Sequence, residues 1–359
     1  MAAKNHYTLA EVNDLLRTCH NLRLEVIPLV QTFGHMEFLL KHKEFSYLRD
    51  VEEMPESICP CHNDTMGIVR EIVDQVMAVH KDAKYLHIGC DEVFHLGECS
   101  QCNGSGRSSL FVNHVTKIAE YVNTSYGAKA IIWDDMLRNL FFDDLVPLSR
   151  VVEPMVWVYA EDVYKFVPSY TWDRYNQVFD YFWTASAFKG AHGETLVVPD
   201  VQRHLNNNLN WLALMAQEEP RIRGGFRGIV LTGWQRYDHF AVLCELLPAA
   251  IPSLAVNLLA TSHGFFNNTL GKKLFSGLGC VQHSGKYSSF VDLESDKFLW
   301  EKLKWCFFPG ASFFKVTKIV VTAEKDVAEY LDRLDNKKGW MTPYNIRHNL
   351  SSPFRVAEV

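Results

Sequence analysis

The chain has no apolar run of the roughly 18 residues that a membrane span requires. Its longest, Leu243 to Ala260, is broken by Glu245, Pro248 and Pro252. Basic residues are not in excess either: 36 Lys and Arg face 42 Asp and Glu, for a net charge of -6. Nucleic-acid binders concentrate cations on one face, so a neutral small molecule is the expected partner, with no nucleic acid and no membrane. The sequence leaves a homodimer open. Neither His-x-His nor His-Glu-x-x-His occurs, which removes the usual ligand spacing of a catalytic zinc. No metal and no cofactor are therefore expected at the site. Repeats of the solenoid type are missing, and Met1 to His6 lacks the apolar segment of a secretory signal. Nine cysteines, an odd number, do not make a disulfide framework. The expected location is the cytoplasm, with the nucleus as a second compartment.

What is present is a large core: 359 residues, 48% of them hydrophobic, fit one big domain with an appendage, or two domains. Thr8 and Glu11 have capping-box spacing, and Val12, Leu15 and Leu16 continue at helical period. Leu24 to Val30 reads as a parallel strand covered on both faces, followed by a long polar loop from His42 to Asn63. Ile68, Ile72, Val76 and Val79 make a helical stripe that leads to the strand Tyr85 to Ile88. A helix with Phe111, Val115, Ile118 and Val122 on one face, capped by Gly127, precedes the strand Ala130 to Trp133. Val151 to Trp157, Tyr181 to Ala187 and Gly228 to Trp234 are further strands, the last two separated by a helix bearing Val201, Leu205, Leu209 and Leu212. A last helical stretch runs from Phe240 to Leu259. Strands alternating with helices imply a parallel α/β sheet. Beyond about residue 270, Lys315 to Val321 reads as a strand and Glu324 to Leu334 as a helix, while Gly339 to Val359 has no clear period.

Each of the six strands ends in polar or aromatic residues, as a (β/α)8 TIM-type barrel requires of its catalytic rim. An open doubly wound sheet, with one main crevice, does not explain site-like residues after all six. The pair Asp91 and Glu92 follows the strand Tyr85 to Ile88. Like charges push apart the acidities of adjacent carboxyls, so one can stay protonated beside an ionised neighbour. The bland alternative is a helix cap or a solvated loop pair. Trp133, Trp157, Trp183 and Trp234 read as closing four successive strands. A wall of indoles suits the apolar faces and hydroxyls of a sugar ring, or else plugs the end of the core. His35 either orients a carboxylate or is a satisfied core histidine. Cys59, Cys61, Cys99 and Cys102 lie in two loops expected to be neighbours. They read as reduced thiols, with a structural zinc as the alternative, since Cys-x-Cys departs from the usual spacing.

Together these motifs resemble the family 20 glycoside hydrolases, the β-N-acetylhexosaminidases. His87-Ile88-Gly89-Cys90-Asp91-Glu92 is similar to the His-x-Gly-x-Asp-Glu signature of that family, and Pro28 through His35 to its third strand with a Gly-His end. The likeness runs from about Tyr7 to Leu270 and is strongest to a nucleocytoplasmic branch.

The resemblance implies substrate-assisted, retaining hydrolysis of terminal N-acetylgalactosamine or N-acetylglucosamine, the galacto sugar being favoured, from a small glycoside or glycoconjugate. By that likeness Glu92 is the acid/base, Asp91 holds the acetamido group, and His35, Trp133, Trp157 and Trp234 line the pocket, with Tyr159 standing in for an acetamide-holding tyrosine. It also implies a barrel without its first two strands over residues 1–270 and an extension over 271–359. Trp234-Gln235-Arg236 departs from the Trp-x-Glu of many members. The alternative function is a non-catalytic sugar-binding remnant of the same fold.

Overall fold

The computed structural model describes residues 5–281, 291–335 and 343–344. Its elements, in chain order, are α1 (Leu9–Asn21), α2 (Glu37–Leu40), β1 (Arg49–Val51), β2 (Met54–Ile58), α3 (Thr65–Val79), β3 (Tyr85–His87), α4 (Arg107–Tyr126), β4 (Lys129–Trp133), α5 (Phe142–Val151), β5 (Val152–Trp157), α6 (Ser169–Tyr175), β6 (Phe182–Lys189), α7 (Val201–Glu218), β7 (Phe226–Gly233), α8 (Leu247–His263), α9 (Asn268–Gly277) and α10 (Ala311–Asp335). Strands β3 to β7 form one sheet in sequence order. The pairings β3 with β4, β4 with β5 and β5 with β6 are parallel. Parallel strands joined by helices in strict succession are the wiring of a (β/α) barrel, and the architecture is a partial TIM-type barrel.

The segment Leu24 to Val30 is extended but is not a full strand. It joins β3 through a parallel bridge between Leu29 and His87, with the Val30 amide donating to the His87 carbonyl and the His87 amide to that of Pro28. The expected burial on both faces fails: Leu24 is 58% exposed and Leu29 44%. Helix α1 has its capping box as expected, yet it buries none of its residues.

The chain divides into two compact units. The first comprises Met1–Ser186, Asn210–Leu231 and Asp238–Ala241; the second, Ala187–Leu209, Thr232–Tyr237 and Val242–Val359. The division expected at residue 270 falls inside the second unit.

In the first unit, Leu86, Ile88, Ala130, Ile132 and Val156 pack with Phe111, Val115, Ile118 and Val122 of α4. Helix α4 ends at Gly127, whose φ of 63° lets the chain turn left-handed at the cap. On α3 the buried apolar residues are Val69, Val73 and Met77, and the expected stripe of Ile68, Ile72 and Val76 is only partly covered. The helix is rotated by about one position because apolar residues occupy both neighbouring rows. The polar loop from His42 to Asn63 holds the antiparallel pair β1 and β2.

In the second unit, Val256 and Ala260 of α8, Leu274 of α9 and Phe314 of α10 share a core. Helix α8 starts at Leu247, so the expected helix from Phe240 begins late, and Pro252 is carried inside it. Lys315 to Val321 is helical, not a strand. Its β-branched residues suggested extension, but Ala311, Phe314 and Val321 share a helical face on the core, and that packing decides. Cys280 and Cys306 form a disulfide, which the odd cysteine count had not suggested. The stretch from Gly339 onward lies almost wholly outside the described residues.

Candidate active site

Asp91 and Glu92 follow β3 where its backbone turns sharply. Gly89, Cys90 and Glu92 have φ of 71°, 70° and 48°, and His35 on the neighbouring loop has 51°. Left-handed conformations cost a non-glycine residue of order 1 kcal/mol or more and persist only where the surroundings impose them. Here the two loops interlock. A Cβ on Gly34 would meet the Asp91 carbonyl oxygen at 2.3 Å, and one on Gly89 would meet Gln31 Oε1 at 1.8 Å. Thr32 Oγ1 donates to the Ile88 carbonyl at 2.7 Å, which fixes the loops in register.

This interlock brings three charged groups together. His35 Nε2 lies 3.2 Å from Glu92 Oε2 and 3.5 Å from Asp91 Oδ2. The amide of Gln31 donates to Asp91 Oδ1 at 2.9 Å. Burial opposes the His35 charge, but its hydrogen bonds to Asp91 and Glu92 prevail and lift its pKa to about 10. Burial alone would raise the Asp91 carboxyl; the His35 contact and the Gln31 amide outweigh it and bring the pKa below its ordinary value. Asp91 is thus an ionised, largely enclosed carboxylate, 13% exposed at its side chain, whereas Glu92 is 38% exposed. The adjacent acids occupy unequal environments.

A pKa raised in the folded chain means that the His35 charge stabilises the fold fully below the unfolded value near 6.5, with the effect fading as pH rises through about 10. Replacing His35 by Gln should therefore lower unfolding stability by on the order of 3 kcal/mol near pH 6 and by progressively less towards pH 10. Urea denaturation of both proteins across that range checks it, and a gap that widens with pH contradicts the assignment.

Beyond β4, Asp134 and Asp135 face different ways. Asp134 is fully buried and accepts two hydrogen bonds from Arg138, at 2.7 and 2.8 Å, and one from the Trp157 amide at 3.2 Å. Asp135 accepts the Glu92 amide at 2.9 Å and the Trp157 indole N–H at 3.0 Å. Burial pushes the Asp135 pKa up to about 7, against the pull of those two donors. The Arg138 guanidinium lies 5.5 Å from the Trp157 ring, and the Tyr159 ring 5.2 Å from it. Glu92, Asp135, Arg138 and Trp157 help to line a cavity of about 480 Å³, within the range of small-molecule pockets.

The structure therefore brings together Asp91, Glu92, His35, Trp157 and Tyr159. Trp133 is 3% exposed, its ring 4.5 Å from that of His87, so it is built into the floor of the sheet. Trp183 is a correction. Strand β6 runs on to Lys189, which leaves Trp183 at its amino end, donating to Glu153 Oε2 at 2.9 Å and edge-on to Tyr85. It braces the opposite end of the strands from Asp91 and Glu92. Trp234 follows β7 in the second unit, where its carbonyl accepts from Lys189 and lies close against Gly190. Gln31, Asp135 and Arg138 join the site without having been singled out as candidates. For Asp135 a signal existed, two acids directly after a strand-ending tryptophan.

Comparison with known proteins gives the family. The profile of the glycosyl hydrolase family 20 catalytic domain matches residues 1–167. The chain belongs to glycosyl hydrolase family 20 and is a glycoside hydrolase. Among its relatives are two proteins named Hexosaminidase D. That of Bos taurus is 40% identical over 289 residues, covering 78% of this chain and 83% of the relative. That of Homo sapiens is 36% identical over 370 residues, covering 100% of this chain and 73% of the relative. The crystal structure of a β-N-acetylhexosaminidase from Bacteroides fragilis shares the fold, with a TM-score of 0.51 at 15% identity; the match covers 84% of this chain and 57% of that one.

Proposed function

We propose that the chain hydrolyses terminal β-N-acetylhexosaminides, of N-acetylgalactosamine or N-acetylglucosamine, with retention and with the sugar's own acetamido oxygen as nucleophile. The observation that carries this reading is the unequal pair: an enclosed Asp91, held ionised by His35 and Gln31, beside a more exposed Glu92 that lines the cavity. In the first half-reaction Glu92 gives its proton to the glycosidic oxygen as the acetamido carbonyl attacks the anomeric carbon. Asp91 accepts the acetamido N–H and balances the positive charge that spreads over the oxazolinium ring. In the second half, Glu92 takes a proton from the water that opens that ring, and the product keeps its β configuration. Trp157, its indole tethered to Asp135, offers an apolar face beside Glu92, with Tyr159 next to it. The family resemblance adds Trp133, under the sheet's carboxyl end, as a further substrate-side residue. No separate nucleophilic carboxylate is needed.

The test compares two aryl glycosides that differ only at C2. The 2-acetamido sugar should turn over, with the β product seen first by NMR, and its 2-hydroxy counterpart should react at least a hundredfold more slowly, given the effective concentration of a tethered nucleophile. Equal rates, or an α product, would overturn the mechanism. Cytoplasmic and nuclear residence belongs to the same proposal, and fractionation of cells expressing the chain checks it.

A further inference from the structure

Four cysteines that the chemistry above does not use converge within the first unit. Cys59 and Cys61 follow β2, and Cys99 and Cys102 lie in the loop between β3 and α4. The sulfur of Cys59 is 2.8 Å from that of Cys99 and 3.8 Å from that of Cys102, and Cys102 is 2.6 Å from Cys61. All four are free thiols. The separations exceed a covalent S–S bond of about 2.05 Å, yet two of them are closer than unbonded sulfurs rest. Sulfurs gathered this closely from two loops suit a common partner. Zn–S bonds of about 2.3 Å set tetrahedral thiolates about 3.8 Å apart, which a small outward movement of each close pair would reach.

Asp50 points independently to a cation at this place. It is buried, and its Oδ2 accepts the Glu98 amide at 2.9 Å. Among the described residues its Oδ1 has no hydrogen-bond partner, while the carboxylate lies within 4.8 Å of the Cys59, Cys99 and Cys102 sulfurs. A buried carboxylate oxygen with nothing to bond is costly, and a dication at the sulfurs provides what it lacks.

We propose that Cys59, Cys61, Cys99 and Cys102 bind one structural zinc ion, with the Asp50 carboxylate at its edge. Each thiol releases its proton to solvent as it ligates, and no electron changes hands. Soft thiolate donors select zinc over the hard, oxygen-seeking cations. Arg49, Asp50, Cys59 and Cys99 line an open depression of about 630 Å³ through which the ion can enter.

The ion would couple the two loops that frame the catalytic pair. The hairpin side is already tied to the His35 loop, since the Met36 amide donates to Glu56 at 2.8 Å and the Ile58 amide to Phe33 at 3.1 Å. Cys99 and Cys102 stand on the loop that continues from Glu92. Zinc would thus hold His35 and Glu92 at their working separation from outside the pocket.

The full chain, purified from a reducing cytosol without added metal, should carry about one zinc per chain by plasma mass spectrometry. Exchange for cobalt(II) should give near-ultraviolet thiolate charge-transfer absorption and the strong visible bands of tetrahedral coordination. The double variant Cys99→Ser, Cys102→Ser should lose the metal and melt at a lower temperature. Metal-free wild-type protein in which all four thiols react with Ellman's reagent would overturn the proposal. So would recovery of these cysteines as disulfide-linked peptides. Zinc content and the cobalt spectrum are read on the wild type, so a variant that fails to fold leaves the test intact. Neither readout depends on glycosidase activity.

Discussion

Glu92→Gln should slow release of a sugar leaving group from a β-N-acetylhexosaminide by about 10²–10⁴-fold, the range of general acid–base contributions. Glutamine keeps the size of the side chain and an oxygen that can accept from His35 Nε2, now 3.2 Å from the carboxylate. It removes only the proton that the departing alcohol needs and the base that the attacking water needs. The loss should shrink for the first step when the leaving group is an acidic phenol, which departs without protonation. Measuring kcat for both substrates on variants of matched melting temperature separates lost chemistry from lost structure. Unchanged turnover of the sugar glycoside would remove Glu92 from the mechanism.

Asp91→Asn should cost about 10²–10³-fold in kcat on 2-acetamido sugars, the scale of a preorganised electrostatic contact to a developing charge. The negative charge at this position is maintained by His35 and Gln31 against strong burial. Asparagine presents a neutral dipole to an oxazolinium cation and can turn its N–H₂ towards the substrate's own N–H. The ground state, in which the acetamide is uncharged, should suffer less, so KM should change little while kcat falls. A variant that loses only affinity would make Asp91 a binding residue without a part in the charged intermediate.

Much of this could be read along the chain because barrel strands are short apolar runs that end in polar residues, a pattern that survives without any partner in view. Tyr85 to His87, Lys129 to Trp133 and Val152 to Trp157 fall close to where periodicity placed them. Asp91 and Glu92 stood out for the same reason. Side-chain direction was not legible. Trp183 and Trp157 look alike in sequence, but strand length decides which end of the sheet each serves, and β6 continues past the alanines that seemed to end it. Lys315 to Val321 was misread as a strand because it is dense in β-branched residues, of which Val316, Ile319 and Val320 are exposed and only Thr317 and Val321 face the core, while Glu324 to Leu334 was legible as a helix. The tether from Asp135 to the Trp157 indole, and the Glu92 amide that shares it, depend on contacts over 22 and 43 residues. No local pattern encodes those.

The missing β-carbons at Gly34 and Gly89 carry a kinetic consequence. Their contacts span more than fifty residues, so the His35, Asp91 and Glu92 cluster cannot form in a nascent fragment that stops short of β3. Enzymatic competence is therefore a clock for the last stage of folding: in a refolding experiment, recovery of hydrolysis should trail the far-ultraviolet signal, because loop closure over such separations comes after local helix formation.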